Sequence, residues 1–87
     1  MHAIFKYPIE LAARVTIELP RGAKILSFQV QYEKLCIWAL IDRGETIMIT
    51  EMFYIVGTGH EAPTLEEAEF IGTAQQPPYV WHLFRKK

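Results

Sequence analysis

Apolar and polar residues alternate strictly from Arg14 to Leu19, with Val15, Ile17 and Leu19 on one side and Arg14, Thr16 and Glu18 on the other. A period of two marks a half-buried β-strand. The same period runs through Ala23 to Tyr32, where Leu26, Phe28, Val30 and Tyr32 share a face and Ile25 is the exception by parity. Leu35 to Ile41 is apolar throughout, which suits a central strand covered on both faces. Thr46 to Val56 is apolar except at Thr46, Thr50 and Glu51, and a bulge or bend near Glu51 would let one long strand serve two sides of a sheet. His2 to Tyr7 predicts a short first strand whose pairing Pro8 ends. Glu69 to Ala74 and Tyr79 to Phe84 predict the last two. Gly72 marks a bulge or a close backbone approach in the first, and Tyr79, Trp81 and Leu83 share a face of the second.

Turn chemistry separates these segments. Pro20-Arg21-Gly22 has proline early and glycine late, Tyr32-Glu33-Lys34 reverses the chain, and Pro77-Pro78 forms the last turn. Asp42-Arg43-Gly44 resembles a tight hairpin with Gly44 supplying a positive φ. Ile9 to Ala13 reads as a loop, Gly57 to His60 breaks a strand, and Thr64 and Glu67 have capping-box spacing for one helical turn. The pattern predicts a single all-β domain over residues 1–87. Its architecture is a small antiparallel barrel or sandwich of six to seven strands, with at most one short helical turn.

Composition narrows the roles. The 51% apolar content is enough for a core without a staple, and its excess predicts a homo-oligomer or a covering partner. Nine basic and ten acidic residues give a net charge of −1, which is no footprint for duplex nucleic acid. The one cysteine, Cys36, lies in an apolar strand, so no disulfide framework exists and the expected location is a reducing cytoplasm. No apolar run approaches the roughly 20 residues of a membrane helix, and no membrane role is expected.

Candidate chemistry is sparse. Ser27, the only serine, sits between Leu26 and Phe28 with no nucleophile elbow. Glu66, Glu67 and Glu69 read as a charged surface turn. His2, His60 and His82 lack ligand spacing for a metal, so neither metal nor other cofactor is expected, and catalysis is not. The most distinctive string is Gly57-Thr58-Gly59-His60. Its glycines would let backbone N–H groups form a nest for a phosphate or carboxylate, with Thr58 and His60 as further donors. The plain alternative is a strand exit that needs two flexible residues. Tyr7, Tyr32, Trp38, Phe53, Tyr54, Tyr79 and Trp81 exceed what a small core needs. Trp38 could then stack on a base while Arg14, or else Lys24 or Arg43, faces a phosphate.

Several strings carry a family likeness: Phe5-Lys6-Tyr7-Pro8-Ile9-Glu10, Ile17 to Gln31 with Trp38-Ala39-Leu40-Ile41-Asp42, Val56 to His60, and Phe70-Ile71-Gly72-Thr73. In this order they resemble a family of small phage- and prophage-encoded proteins without an established activity, over most of the chain. The resemblance implies a phage accessory gene acting in the host cytoplasm. Such proteins look like counter-defence factors, which occupy a host effector's surface or sequester a signalling nucleotide. No functional residue carries over. The expected function is therefore non-enzymatic binding of a nucleotide-type small molecule or a host defence protein. A structural or assembly protein of the phage particle is the alternative. A hydrolase rests only on the three histidines.

Overall fold

The computed structural model describes all 87 residues and contains seven strands and no helix. They are β1 (His2–Ile9), β2 (Arg14–Pro20), β3 (Lys24–Gln31), β4 (Lys34–Asp42), β5 (Met48–Gly57), β6 (Ala68–Gln76) and β7 (Tyr79–Lys86). A three-stranded sheet, β1-β4-β3, packs on a four-stranded sheet, β2-β5-β7-β6, and every pairing is antiparallel. The result is sandwich-like and does not close into a barrel. The core lies between the inner faces, where Ile37 and Phe28 of one sheet meet Leu19, Phe53 and Leu83 of the other.

Three departures from the periodic reading have clear causes. First, β1 continues through Pro8 to Ile9, with Pro8 opposite Cys36. β1 is an edge strand, so an imino nitrogen that points away from β4 removes no ladder bond. Second, Thr50–Glu51 pairs without any register shift, and the irregularities fall instead at Leu26 in β3 and Ile71 in β6. The β3 bulge switches parity, which puts Ile25 and Phe28 on the core side and turns Leu26 outward. Gly72 follows the β6 bulge, as its glycine suggested. A Cβ there would sit 3.8 Å from that of Phe28, an ordinary contact across the two sheets. Third, Asp42 to Gly44 does not form a hairpin: β4 and β5 belong to different sheets, and Gly44 has no positive φ.

That crossover is tied by carboxylates. Asp42 Oδ1 accepts the Gly44 N–H at 2.9 Å, Glu45 Oε2 accepts that of Ile47 at 3.2 Å, and Arg21 Nε donates to Glu45 Oε1 at 3.0 Å. The Gly44 N–H and then the Met1 amino group hold the Asp42 carboxyl below the usual carboxylate range. The Ile47 N–H and then Arg21 do the same for Glu45. The 64–67 segment forms one turn, in which the Glu67 N–H bonds both the carbonyl and the hydroxyl of Thr64.

The β3–β4 connection is a two-residue hairpin, since Gln31 pairs with Lys34. Both central residues have positive φ, 51° at Tyr32 and 66° at Glu33, as a type I′ turn demands. Neither is glycine or asparagine, so the turn stores on the order of 1 kcal/mol or more per residue. On the outer face nearby, Cys36 is fully buried. Lys6 Nζ donates to Gln31 Oε1 at 2.8 Å and lies 5.8 Å from the Tyr32 ring centre, so its side chain leans across β4.

Two outcomes follow from these local arrangements. Tyr32→Asn with Glu33→Gly should raise stability in denaturant melts by about 1 kcal/mol, because both new residues accept positive φ at low cost. An unchanged midpoint would mean the turn is not strained. A carboxyl whose folded pKa is depressed adds stability that is present above its unfolded pKa and lost as pH falls through the folded value. The Gly44 and Ile47 amides should therefore lose exchange protection as pH falls below about 4, ahead of core amides such as Phe53.

Candidate functional site

β5 runs past the start of β2, and this overhang creates the site. The last contact between them is the Ile55 N–H donating to the Ala13 carbonyl at 3.1 Å. Beyond it, Val56 and Gly57 keep β7 on one side and have no β2 residue on the other. Two adjoining hollows occupy the gap and share Ala13, Ile55, Val56 and Glu61. One, of about 310 Å³, is lined by Leu11, Gly57, His60 and Trp81. The other, of about 590 Å³, is lined by Arg14, Tyr54, Thr64 and Glu67. Together they form a groove that crosses the unpaired edge of β5 beside the Glu10–Arg14 segment, with Tyr54 on the outer face and Trp81 on the core side.

The Gly57–His60 string is a reverse turn. The His60 N–H returns to the Gly57 carbonyl at 3.0 Å, and Gly59 takes a φ of 88° at the third position, where a type II turn needs glycine. The Thr58 N–H extends the ladder to the Val80 carbonyl at 3.3 Å. Two of the N–H groups that a nest would offer are therefore already engaged. Thr58 Oγ1 lies 2.7 Å from His82 Nε2, and Thr73 Oγ1 lies 2.9 Å from His82 Nδ1. A neutral imidazole has one donor and one acceptor nitrogen, so one threonine donates to the ring and the other accepts from it. This clamp joins β5, β7 and β6 on their outer face.

Gly57 has a packing role of its own. A Cβ there would meet His60 Nδ1 at 3.0 Å and the Trp81 ring at 3.3 Å. The missing side chain lets the imidazole and the indole converge over the β5 backbone. Trp81 donates from Nε1 to Gln76 Oε1 at 3.0 Å and stacks on Tyr79 with ring centres 5.5 Å apart. Gln76 Nε2 in turn donates to the Glu33 carbonyl at 3.1 Å, which links this aromatic pair to the Tyr32 hairpin.

Of the residues singled out in the sequence, Gly57, His60 and Arg14 border this one groove, with Thr58 and Gly59 in the turn at its end. Trp38 does not join them. It lies on the outer face of the other sheet, beside Ile4 and Leu26. The aromatics at the groove are Trp81 and Tyr54. The register supplies the link, since Trp81 pairs with Gly57 and Arg14 with Tyr54, and nothing local in the sequence announces either pairing. The groove is mixed in charge, with Arg14 and His60 facing Glu61 and Glu67. No group of three His, Cys, Asp or Glu side chains is placed to hold a metal ion, and no helix is long and apolar enough to cross a membrane.

No curated protein and no solved structure matches the chain. The family described as Domain of unknown function (DUF7352) matches residues 1–87, the full length of the chain, and the protein belongs to that family.

Proposed function

We propose that this chain is a non-enzymatic binding protein that sequesters a nucleotide-type small molecule in the groove beside β5. The observation that carries the reading is that two hollows adjoin across the unpaired edge of β5, with Arg14 and Tyr54 bordering one and His60 and Trp81 the other. The Tyr54 and Gly57 positions are three residues apart along β5, about 10 Å, and belong to opposite faces of the sheet, so a ligand that reaches both bends over the free β5 edge. That span suits a ligand with an anionic end and a flat aromatic end. Arg14 would meet the phosphate as a charge-assisted donor, and the indole of Trp81 would take the base. Glu61 and Glu67 are acceptors for ribose hydroxyls. The combined volume falls within the usual range of small-molecule sites. The phage counter-defence setting rests on the resemblance of the sequence strings alone.

A panel of cyclic, dinucleotide and ADP-ribose-type ligands tests this by thermal shift. A ligand present at 100 times its Kd adds about 2.7 kcal/mol, a rise in Tm of roughly 10 °C or more for a domain of this size. Arg14→Ala should fold normally, because the side chain is exposed, and weaken binding about tenfold or more. Gly57→Ala should displace His60 and Trp81 and reduce the shift as well. A flat response across the panel removes the small-molecule reading.

A second reading has its own support. Tyr32 is 86% exposed on a strained hairpin tip, and strain of this kind gathers at functional positions. Tyr79 is also exposed on the neighbouring hairpin, and tyrosine and tryptophan dominate protein hot spots. In this reading the same end of the sandwich inhibits a host defence protein. It predicts one stoichiometric partner that co-purifies with wild-type protein and is lost on Tyr32→Ala, with no nucleotide response. Retention of the partner by that variant would exclude the tip.

A further inference from the structure

The two sheets leave four strand edges, and three of them are blocked. β3 and β6 lie alongside each other, both carry bulges, and Gln76 bridges them to the hairpin at Glu33. β2 carries Arg14 and Glu18 and ends at Pro20, devices that discourage strand addition. β1 carries only one lysine, Lys6, and its proline, Pro8, lies near the far end, so the stretch from His2 to Lys6 keeps its outward backbone groups. It pairs with β4 over eight residues without a break in register, with Ala3, Phe5, Tyr7 and Ile9 on the core side and His2, Ile4, Lys6 and Pro8 on the outer face. Ile4 is 60% exposed on the outer face, and Phe5 is 44% exposed although it points to the core side. The only cation within the strand's first seven residues other than His2 is Lys6, and its ammonium is drawn across β4 to Gln31, away from the free edge.

The direction of the free backbone groups follows from two facts. The Met1 carbonyl accepts from the Arg43 N–H at 2.9 Å, so odd-numbered residues of this strand bond towards β4. His2, Ile4 and Lys6 therefore present N–H and C=O outward, and so does Pro8, with a carbonyl alone. We infer that β1 pairs antiparallel with β1 of a second copy, about a twofold axis at Ile4, to make a continuous six-stranded sheet. In this register Ile4 bonds Ile4 of the second copy, and each His2 bonds the other copy's Lys6. Phe5 faces the small Ala3 across the axis. Every outward group of His2, Ile4 and Lys6 finds a partner, and Pro8, with no N–H to give, stays outside the bonded stretch.

The surface area agrees with a missing partner. The chain exposes 5911 Å², about 600 Å² more than the roughly 5300 Å² of a compact monomer of its mass. Each partner in a standard interface covers about 800 Å². An isologous contact needs one self-complementary patch, which a strand edge with an apolar residue at its midpoint provides.

Sedimentation equilibrium over a micromolar concentration series should give twice the 10.1 kDa of the chain. The amides of His2, Ile4 and Lys6 should exchange fast at low concentration and become protected as the dimer forms. Ile4→Lys, at an exposed position, should keep the native circular dichroism and weaken dimerisation about tenfold or more by placing like charges on the axis. Ile4→Pro removes only an outward N–H and should do the same, whereas Thr16→Lys on the β2 edge should leave the dimer intact. A monomer throughout the series overturns the inference. So does a dimer in which the Ile4 amide stays unprotected or which both Ile4 variants leave unchanged.

Discussion

Four side chains, Leu19, Ile37, Phe53 and Leu83, are shut off from solvent between the two inner faces, and the remainder of the molecule depends on that contact. No disulfide or helix supplements it. Each such side chain contributes about 1.5–3 kcal/mol by burial, against a net stability for a domain of this size that is only several kcal/mol. The core must also hold strands joined by three connections that cross from one sheet to the other. Only β3–β4 and β6–β7 are hairpins; β1–β2, β2–β3 and β4–β5 cross between layers, and β5–β6 skips over β7 within one sheet. Packing between the faces, together with these crossings, therefore fixes where β2 begins and how far β5 runs beyond it. The groove is a by-product of that mismatch in strand length.

Edges are the second consequence of an open sandwich. The two bulged edges are brought together, the β2 edge is charged, and β1 is left as the smooth one. The groove and the β1 edge draw on different strands and different layers, so binding at one need not disturb assembly at the other. A dimer built through β1 would leave both copies of the Arg14–Trp81 groove on the four-stranded sheets.

The strand inventory was legible in the sequence because period-two patterning and turn residues agree over most of the chain. The failures are local and share a cause: they depend on which strands become neighbours. Parity alone set Leu26 inward, and the bulge that turns it out lies in a strand that runs alongside β6. Pro8 looked like a terminator, yet an edge position tolerates it. Asp42-Arg43-Gly44 has the composition of a hairpin, but its flanking strands belong to different layers. At the site, Gly57, His60 and Arg14 were visible as residue types. Trp38 was a wrong companion for them, because no sequence pattern says that Trp81 pairs with Gly57 while Trp38 sits on the far sheet.

Cys36 is almost completely sealed, between Pro8 and Gln29 in the ladder and beneath the bond from Lys6 to Gln31. A thiol so enclosed meets a modifying reagent only when the Lys6–Gln31 cover opens or the three-stranded layer parts. Its labelling rate therefore counts excursions from the native state, without any engineered probe. The chain carries its own clock for breathing of that layer, placed in the strand that both β1 and β3 lean upon.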